Sequence, residues 1–174
     1  MASLLVRRRV PIGFACAIVA YGFATPSAGS ILAGLIVALP GEALRVWAAG
    51  HLDKGREITR SGPYRFLRHP LYLGSAVLGA GFIVAASSWI VALIVGGYLA
   101  AALLAAVRAE ESALDARFAG AYSDYRAGRA APVARAFNAA RVIANREHRA
   151  VLGFIAGFAL LVVRMHLGAL AGRW

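Results

Sequence analysis

Long apolar stretches separated by short polar segments dominate the sequence. Five such stretches are present, at 10–24, 31–49, 71–86, 89–107 and 151–170. A membrane-spanning helix needs about 20 apolar residues, with about 17 as the lower limit. The run 71–107 is therefore too long for one span and divides into two at the polar turn Ser87-Ser88-Trp89. The pattern predicts an all-α integral membrane bundle of about five transmembrane helices.

The polar segment after the fourth stretch carries a helical pattern of its own. Between 114 and 125 a large apolar or aromatic residue recurs every three or four positions, with acidic residues in between. This predicts a helix that continues from the fourth span, followed by an amphipathic stretch at the membrane surface. Pro132 ends the pattern, and residues 138–149 are predicted to form a second cytoplasmic interfacial helix.

Basic residues are concentrated on one predicted side of the membrane. Hydrophobic residues make up 60% of the chain and charged residues 16%, yet the formal net charge is +11. The basic clusters at 7–9, 54–68 and 108–149 all face the same side if the N-terminus is inside. The positive-inside rule predicts a cytoplasmic N-terminus and cytoplasmic basic loops, which would also attract anionic membrane lipids. This distribution argues against nucleic acid as a partner, and no protein partner is indicated.

Three further features bear on location and cofactors. The composition, rich in alanine, arginine and glycine, favours a bacterial inner membrane. The basic and apolar start resembles a secretory signal, but a retained first helix is favoured because the rest of the chain is equally apolar. The four histidines are scattered without metal-ligand spacing, so no metal site is expected.

Charged residues inside the predicted spans each require an explanation, because burying a charge in lipid is costly. Glu42 and Arg45 lie three positions apart on one side of the second span. They could form an ion pair that holds the helix against its neighbours, or they could line a polar cavity. Arg164 and His166 lie in the last span, where extension of the side chains to the headgroups is the favoured interpretation.

The polar segment before the third span has the features of an anion site. Pro70 suits the first turn of a helix, which places Arg68 and His69 at its N-terminus. Free amide groups, the positive end of the helix dipole and Arg68 together favour a bound anion. Tyr72 and Gly74 follow one turn later. The alternative is that the arginines are membrane anchors and that Tyr72 belongs to the interfacial aromatic belt.

Two adjacent carboxylates, Glu110 and Glu111, stand where the fourth span leaves the membrane. Because the third and fourth spans form a short hairpin, this position is expected to lie beside His69. Carboxylates facing Arg68 would make a cleft suited to a small zwitterionic ligand. The alternative is an ordinary solvated acidic surface.

The segment 68–74 reads Arg-His-Pro-x-Tyr-x-Gly and resembles the signature of the isoprenylcysteine carboxyl methyltransferase and phospholipid methyltransferase superfamily. The resemblance extends upstream to Arg45-Val46-Trp47 and Gly62-Pro63-Tyr64-Arg65, and downstream through Glu110-Glu111 to Pro132. It divides a single membrane domain, 1–174, into a methyltransferase-like core at about 42–132 and an extension at 133–174 that contains the last span. One departure is Ala119, where the family often has glycine.

This resemblance implies S-adenosylmethionine as methyl donor, bound on the cytoplasmic side, and a lipid-like acceptor that enters from the bilayer. By position it implies a set of residues lining the cofactor pocket: Arg68, His69, Tyr72, Leu73, Gly74, Glu110 and Glu111. A phospholipid amine, a prenylated carboxylate or a quinone-like lipid would each fit as acceptor.

The expected reaction is a direct displacement at a sulfonium, so the protein mainly aligns donor and acceptor. A carboxylate or thiolate acceptor needs no strong base, whereas a protonated amine must first lose a proton. His69, Glu110 and Arg45 are the candidates for a catalytic role, and the pattern does not choose among them.

Two other functions remain compatible with the sequence. Membrane reductases of the sterol-reductase type, which use NADPH, resemble the chain around the same motif, although they usually carry asparagine where this chain has Leu71. A non-enzymatic membrane protein that binds anionic lipids through its basic loops is the other alternative.

Overall fold

The computed structural model describes residues 2–118 and 120–171, and these ranges contain helices and no strand. The helices are α1 (Ala2–Phe23), α2 (Ala28–His51), α3 (Pro70–Ala86), α4 (Trp89–Phe118), α5 (Gly120–Arg126), α6 (Ala139–Ala144) and α7 (Glu147–Leu170). A short 3₁₀ turn, Gly62–Arg65, precedes α3. The prediction of an all-α membrane bundle is confirmed.

Each of the five apolar stretches forms a helix. Within the described ranges α2, α4 and α7 are long and apolar enough to cross a membrane, while α3 and the apolar part of α1, Pro11–Phe23, are shorter. Large apolar side chains point outward on these helices, with Ile18 72%, Leu93 67% and Leu152 62% exposed. Such a continuous apolar exterior is suited to lipid and not to water.

The helix boundaries largely follow the sequence pattern, with one exception. Helix α4 continues past the membrane segment to Phe118, as predicted. The predicted interfacial helix at 138–149 is wrong in its extent, because α6 ends at Ala144 and α7 already begins at Glu147. Arg146 separates the two helices with a left-handed backbone (φ 60°), which an α-helix cannot continue through.

Helices α2 and α3 pack backbone to backbone through small residues. A Cβ atom placed on Gly34 would lie 2.5 Å from the carbonyl oxygen of Gly81, and one on Gly41 would lie 2.7 Å from that of Gly74. In membranes, where helices gain nothing by leaving lipid, small residues allow the close approach that makes packing favourable. Glycine at these positions therefore sets the distance between α2 and α3.

The bundle is closed at the end that carries Ser87, which we call the Ser87 end. The Thr25 amide donates to the carbonyl of Ala86 (2.9 Å) and the Thr25 hydroxyl to that of Ser87 (2.8 Å), which ties the two turns together. Arg164 does not simply extend toward headgroups, because its guanidinium donates to the carbonyls of Tyr21 (3.2 Å) and Gly22 (3.1 Å). These carbonyls belong to the last turn of α1, where i+4 donors are missing, and the Tyr21 carbonyl also accepts from the Ala24 amide at 3.4 Å.

Apolar packing is also concentrated toward the Ser87 end. The buried cluster is contributed by α1, α2, α3, α4 and α7: Ala20, Ala24, Ile31, Ala38, Ala85, Ala86, Val91, Phe158 and Leu161. The rings of Phe82, Phe154 and Phe158 join α3 to α7, with centroids 4.5–6.3 Å apart. A cavity lies toward the opposite end, which carries His69 and is called the His69 end.

Candidate active site

The cavity at the His69 end has a volume of about 720 Å³. It is lined by Arg45 of α2, by the segment between α2 and α3, by α3, α4 and α5, and by the first residue of α7. Sites for small ligands in proteins commonly enclose about 300–1,000 Å³. Its polar lining includes Lys54, Arg68 and Glu110, and its apolar lining runs along α4 from Leu99 to Ala106. One space therefore joins a charged region to an apolar helix face.

His69 lies between the two carboxylates at the exit of α4, as predicted from the α3–α4 hairpin. Its Nε2 atom is 3.2 Å from Glu111 Oε1, and its Nδ1 atom is 3.7 Å from Glu110 Oε2. Interaction with Glu110, and then with Glu111, raises the pKa of His69 above its usual value despite the opposing effect of burial. Arg68 Nη1 lies 3.6 Å from Glu111 Oε1 and adds a second cation to the group. The four side chains form one charged network, which we call the His69 network.

Tyrosines surround this network on the side of α5. The Tyr122 hydroxyl donates to Glu111 Oε1 (3.4 Å), and the Tyr125 hydroxyl donates to the carbonyl oxygen of Tyr64 (2.8 Å). Burial raises the pKa of Tyr122 to about 12 and also raises the pKa values of Tyr64 and Tyr125. These phenols are therefore neutral donors near pH 7, and all three contribute to the lining of the cavity.

A second charged group lies deeper, where α2, α3 and α7 meet. Arg45 Nη2 is 2.6 Å from Glu147 Oε1, and Arg45 Nε is 3.7 Å from Glu42 Oε2. Arg45 Nη1 donates to Ser75 Oγ, which in turn donates to the carbonyl of Leu71 (2.8 Å). Both carboxylates are buried, and among the described residues neither oxygen of Glu42 nor Oε1 of Glu147 has a hydrogen-bond partner.

The two interpretations of the Glu42 and Arg45 pair are therefore both correct. The residues form an ion pair, and Arg45 also lines the cavity. A third member of the group, Glu147, was not expected from the sequence, and its side chain is 7% exposed. Its only sequence signal is an acidic residue in the first turn of the last span, a position that usually reflects the helix dipole.

The predicted cofactor residues are only partly brought together. Arg68, Tyr72 and Glu110 line the cavity, and His69 and Glu111 are joined to this lining through the His69 network. Leu73 and Gly74 lie outside the lining. Leu73 is 45% exposed, and a Cβ on Gly74 would lie 2.6 Å from Cγ of Arg45. Gly74 therefore faces α2.

The phospholipid methyltransferase family matches residues 12–121, more than half of the 174 residues. The chain belongs to this family. The match includes Arg45, the 68–74 motif and both glutamates at the exit of α4, and it ends before Tyr122 and α7. The protein is thus a membrane methyltransferase of the isoprenylcysteine carboxyl methyltransferase and phospholipid methyltransferase superfamily. Comparison with curated proteins and with solved structures gave no match.

Proposed function

We propose that this methyltransferase transfers a methyl group from S-adenosylmethionine to a lipid acceptor at the cytoplasmic face of the membrane. The observation that carries the proposal is the shape of the cavity, which joins the His69 network to the apolar face of α4. A polar donor and an apolar acceptor can meet only where such environments are continuous. Membership of the family supports the reaction type.

The charged end of the cavity fits the chemistry of the donor. S-adenosylmethionine, when bound, supplies an activated methyl group on a sulfonium, and it also carries an amino group, a carboxylate, a ribose and an adenine ring. Arg68 and Lys54 can hold a carboxylate, and Glu110 can accept hydrogen bonds from an amino group or ribose hydroxyls. The ring of Tyr72 offers a face for a cation or for stacking. Leu73 and Gly74 are not part of this proposed pocket.

In this proposal His69 and Glu111, which do not line the cavity themselves, hold the Glu110 side chain in position. The raised pKa of His69 favours the imidazolium, which holds both carboxylates in place and is poorly suited to accept a proton. The arginine of α2 cannot act as a base at all. The interaction with His69 also lowers the pKa of Glu110, so none of the three candidate residues is a strong base, and an amine acceptor would have to reach the site already neutral.

The apolar end of the cavity would hold the acyl or prenyl part of the acceptor. Leu99, Ala102 and Leu103 present small and aliphatic side chains there, and Leu93 and Leu104 of the same helix are exposed on the outside of the bundle. Exposure of a hydrocarbon chain to water costs about 0.8 kcal/mol per CH₂ group, and an apolar lining spares a membrane lipid this cost. This supports a membrane lipid over a soluble acceptor.

The proposal includes one membrane domain with its N-terminus and basic loops in the cytoplasm, in a bacterial inner membrane. The basic residues of the His69 end support this orientation, because Lys54, Arg68 and Arg117 all lie outside the apolar stretches. Attachment of alkaline phosphatase or green fluorescent protein to each terminus would test it. A fluorescent N-terminal fusion is expected, and an active N-terminal phosphatase would contradict the orientation.

Binding of S-adenosylmethionine to the purified protein is the test of the donor. We expect calorimetric binding by wild type and a loss of at least about tenfold in Glu110→Ala and Tyr72→Ala. His148→Gln, on an exposed residue of α7, is the control that should bind like wild type. If well-folded wild type does not bind S-adenosylmethionine but is stabilised against thermal unfolding by NADPH, the proposal is overturned in favour of a reductase.

The acceptor is tested with vesicles of defined composition. Phosphatidylethanolamine carries an amine nucleophile, whereas phosphatidylglycerol does not, so vesicles of each are incubated with methyl-labelled S-adenosylmethionine. Label in the lipid of the first vesicles alone would assign an amine acceptor. Donor binding without label in either would turn the search to prenylated carboxylates and quinone-like lipids. If the protein neither binds S-adenosylmethionine nor transfers label, the result favours a non-enzymatic lipid-binding protein.

A further inference from the structure

The turn between α6 and α7 is fastened to the end of α2. The Asn145 side-chain amide donates to the carbonyls of Ala49 and Leu52, both at 3.0 Å. The carbonyl of Gly50 accepts from the backbone amide of Asn138 at 3.1 Å. These carbonyls belong to the last turn of α2 and the residue after it, where helical partners are missing. The segment after residue 132 is thus attached to the core.

This attachment fixes the position of one acidic side chain, that of Glu147. Arg146 follows directly in a left-handed conformation (φ 60°), which residues other than glycine adopt only when their surroundings impose it. The next residue, Glu147, begins α7 and is buried against α2 with Oε1 2.6 Å from Arg45 Nη2. The strained turn and the hydrogen bonds of Asn145 are independent observations, and both fix the position of the same carboxylate.

Arg45 depends on this carboxylate for its orientation. Of its two acidic neighbours Glu147 is the nearer, because its Oε1 lies 2.6 Å from Nη2, whereas Glu42 Oε2 lies 3.7 Å from Nε. A guanidinium is planar, so the ion contact of Nη2 with Glu147 and the hydrogen bond from Nη1 to Ser75 together restrain its position. Without Glu147 the partly buried cation would lose its closest counter-charge and one of these two restraints.

We propose that Glu147 is a positioning residue of the methyltransferase site and acts by holding Arg45 at the inner end of the cavity. The C-terminal segment, which lies outside the family match at 12–121, is then a functional part of the site and more than an additional membrane span. This inference rests on the proposed function. Arg45 and Glu147 both line the same cavity as Glu110, so a misplaced guanidinium would alter how an acceptor is presented to the donor.

The first test separates methyl transfer from donor binding. In Glu147→Gln, kcat for transfer to phosphatidylethanolamine vesicles is expected to fall at least about tenfold, while the Kd for S-adenosylmethionine stays within about threefold of wild type. Glu147→Asp is expected to recover part of the loss, since it restores the charge at a shorter reach. His148→Gln, with an exposed side chain on the next residue, should change neither quantity.

The second test asks whether Glu147 acts through Arg45. Thermal unfolding and kcat are measured in Arg45→Lys, in Glu147→Gln and in the double variant. If the two residues act together, the loss in the double variant will be clearly smaller than the product of the single losses. Coupling in thermal stability, with kcat unchanged in Glu147→Gln, would reduce the pair to a structural role and overturn the inference.

A further outcome concerns the proposed function itself. If wild type neither binds S-adenosylmethionine nor transfers methyl groups, the methyltransferase site and the role of Glu147 in it are both refuted, even where unfolding shows the coupling. If wild type binds and transfers but Glu147→Gln does so equally well, only the inference on Glu147 falls. The two failures are thereby distinguished.

Discussion

Gly74 offers a test of what the 68–74 motif does, because its family position implies cofactor contact and its surroundings indicate helix packing. In Gly74→Ala the new methyl group would lie 2.6 Å from Cγ of Arg45 and 2.7 Å from the carbonyl oxygen of Gly41. The side-chain atom can shift, but the backbone oxygen can move only if α2 and α3 separate. We therefore expect overpacking, which typically costs about 1–3 kcal/mol.

Two other glycines provide matched controls for this substitution. Gly81 lies two turns further along α3, at the same α2–α3 contact, and a Cβ there would be 2.6 Å from the carbonyl oxygen of Gly34. On α4, a Cβ added to Gly97 would meet no atom of the described residues within 4 Å, so Gly97→Ala should be neutral or favoured by up to about 1 kcal/mol through helix propensity. The three variants thus share the chemical change and differ only in contact and in distance from the site.

Thermal unfolding in nonionic detergent and calorimetric binding of S-adenosylmethionine provide the assay. For a chain of this length a loss of about 1–3 kcal/mol corresponds to a fall in Tm of roughly 2–12 °C. Gly74→Ala and Gly81→Ala are expected to show similar falls, and Gly97→Ala none. If Gly74→Ala unfolded like Gly97→Ala and yet lost the donor, the packing argument would be refuted and Gly74 would belong to the cofactor pocket.

Three further predictions concern single side chains. The folded-state pKa of His69 is raised, so the stabilisation by its imidazolium is complete below the usual pKa of about 6.5 and is lost as pH rises through the raised value. The difference in Tm between wild type and His69→Gln should therefore be wider at pH 6 than at pH 9. A difference that does not change with pH would show that the network does not favour the imidazolium. Asn145→Ala removes two hydrogen bonds to the end of α2 and should lower the unfolding free energy by about 1–3 kcal/mol. Asn145→Asp should recover little of this loss, because a carboxylate offers no donor. A Tm of Asn145→Ala equal to that of wild type would contradict this prediction. Arg164→Leu leaves the two carbonyls at the end of α1 without these donors and should speed hydrogen exchange at the Ser87 end, while exchange around Glu110 stays unchanged.

The membrane bundle follows from the sequence because its signal is local. Each span is a long apolar run, and lipid forces such a run to satisfy its backbone groups within one helix. The five predicted stretches accordingly appear as α1, α2, α3, α4 and α7. The break at Arg146 was not predicted, because a single left-handed residue does not change the hydrophobic periodicity.

The grouping of side chains in the His69 network could also be predicted from the sequence. A short hairpin between α3 and α4 leaves little freedom, so the start of one helix must lie beside the end of the other. His69, Glu110 and Glu111 were expected together on this ground, and they lie 3.2–3.7 Å apart. Which members of the motif face the cavity was not predictable, since that depends on how α3 is rotated against α2.

Only the tertiary structure decided the deeper group of charges and the face of Gly74. Arg45 and Glu147 are about a hundred positions apart, and no spacing rule links two residues on different helices across such a distance. Their contact at 2.6 Å depends on how α7 returns to α2, which the turn at Asn145 and the glycine packing of α2 and α3 determine. Local patterns specify helices, whereas the partners of a buried charge are specified by packing among helices remote in sequence.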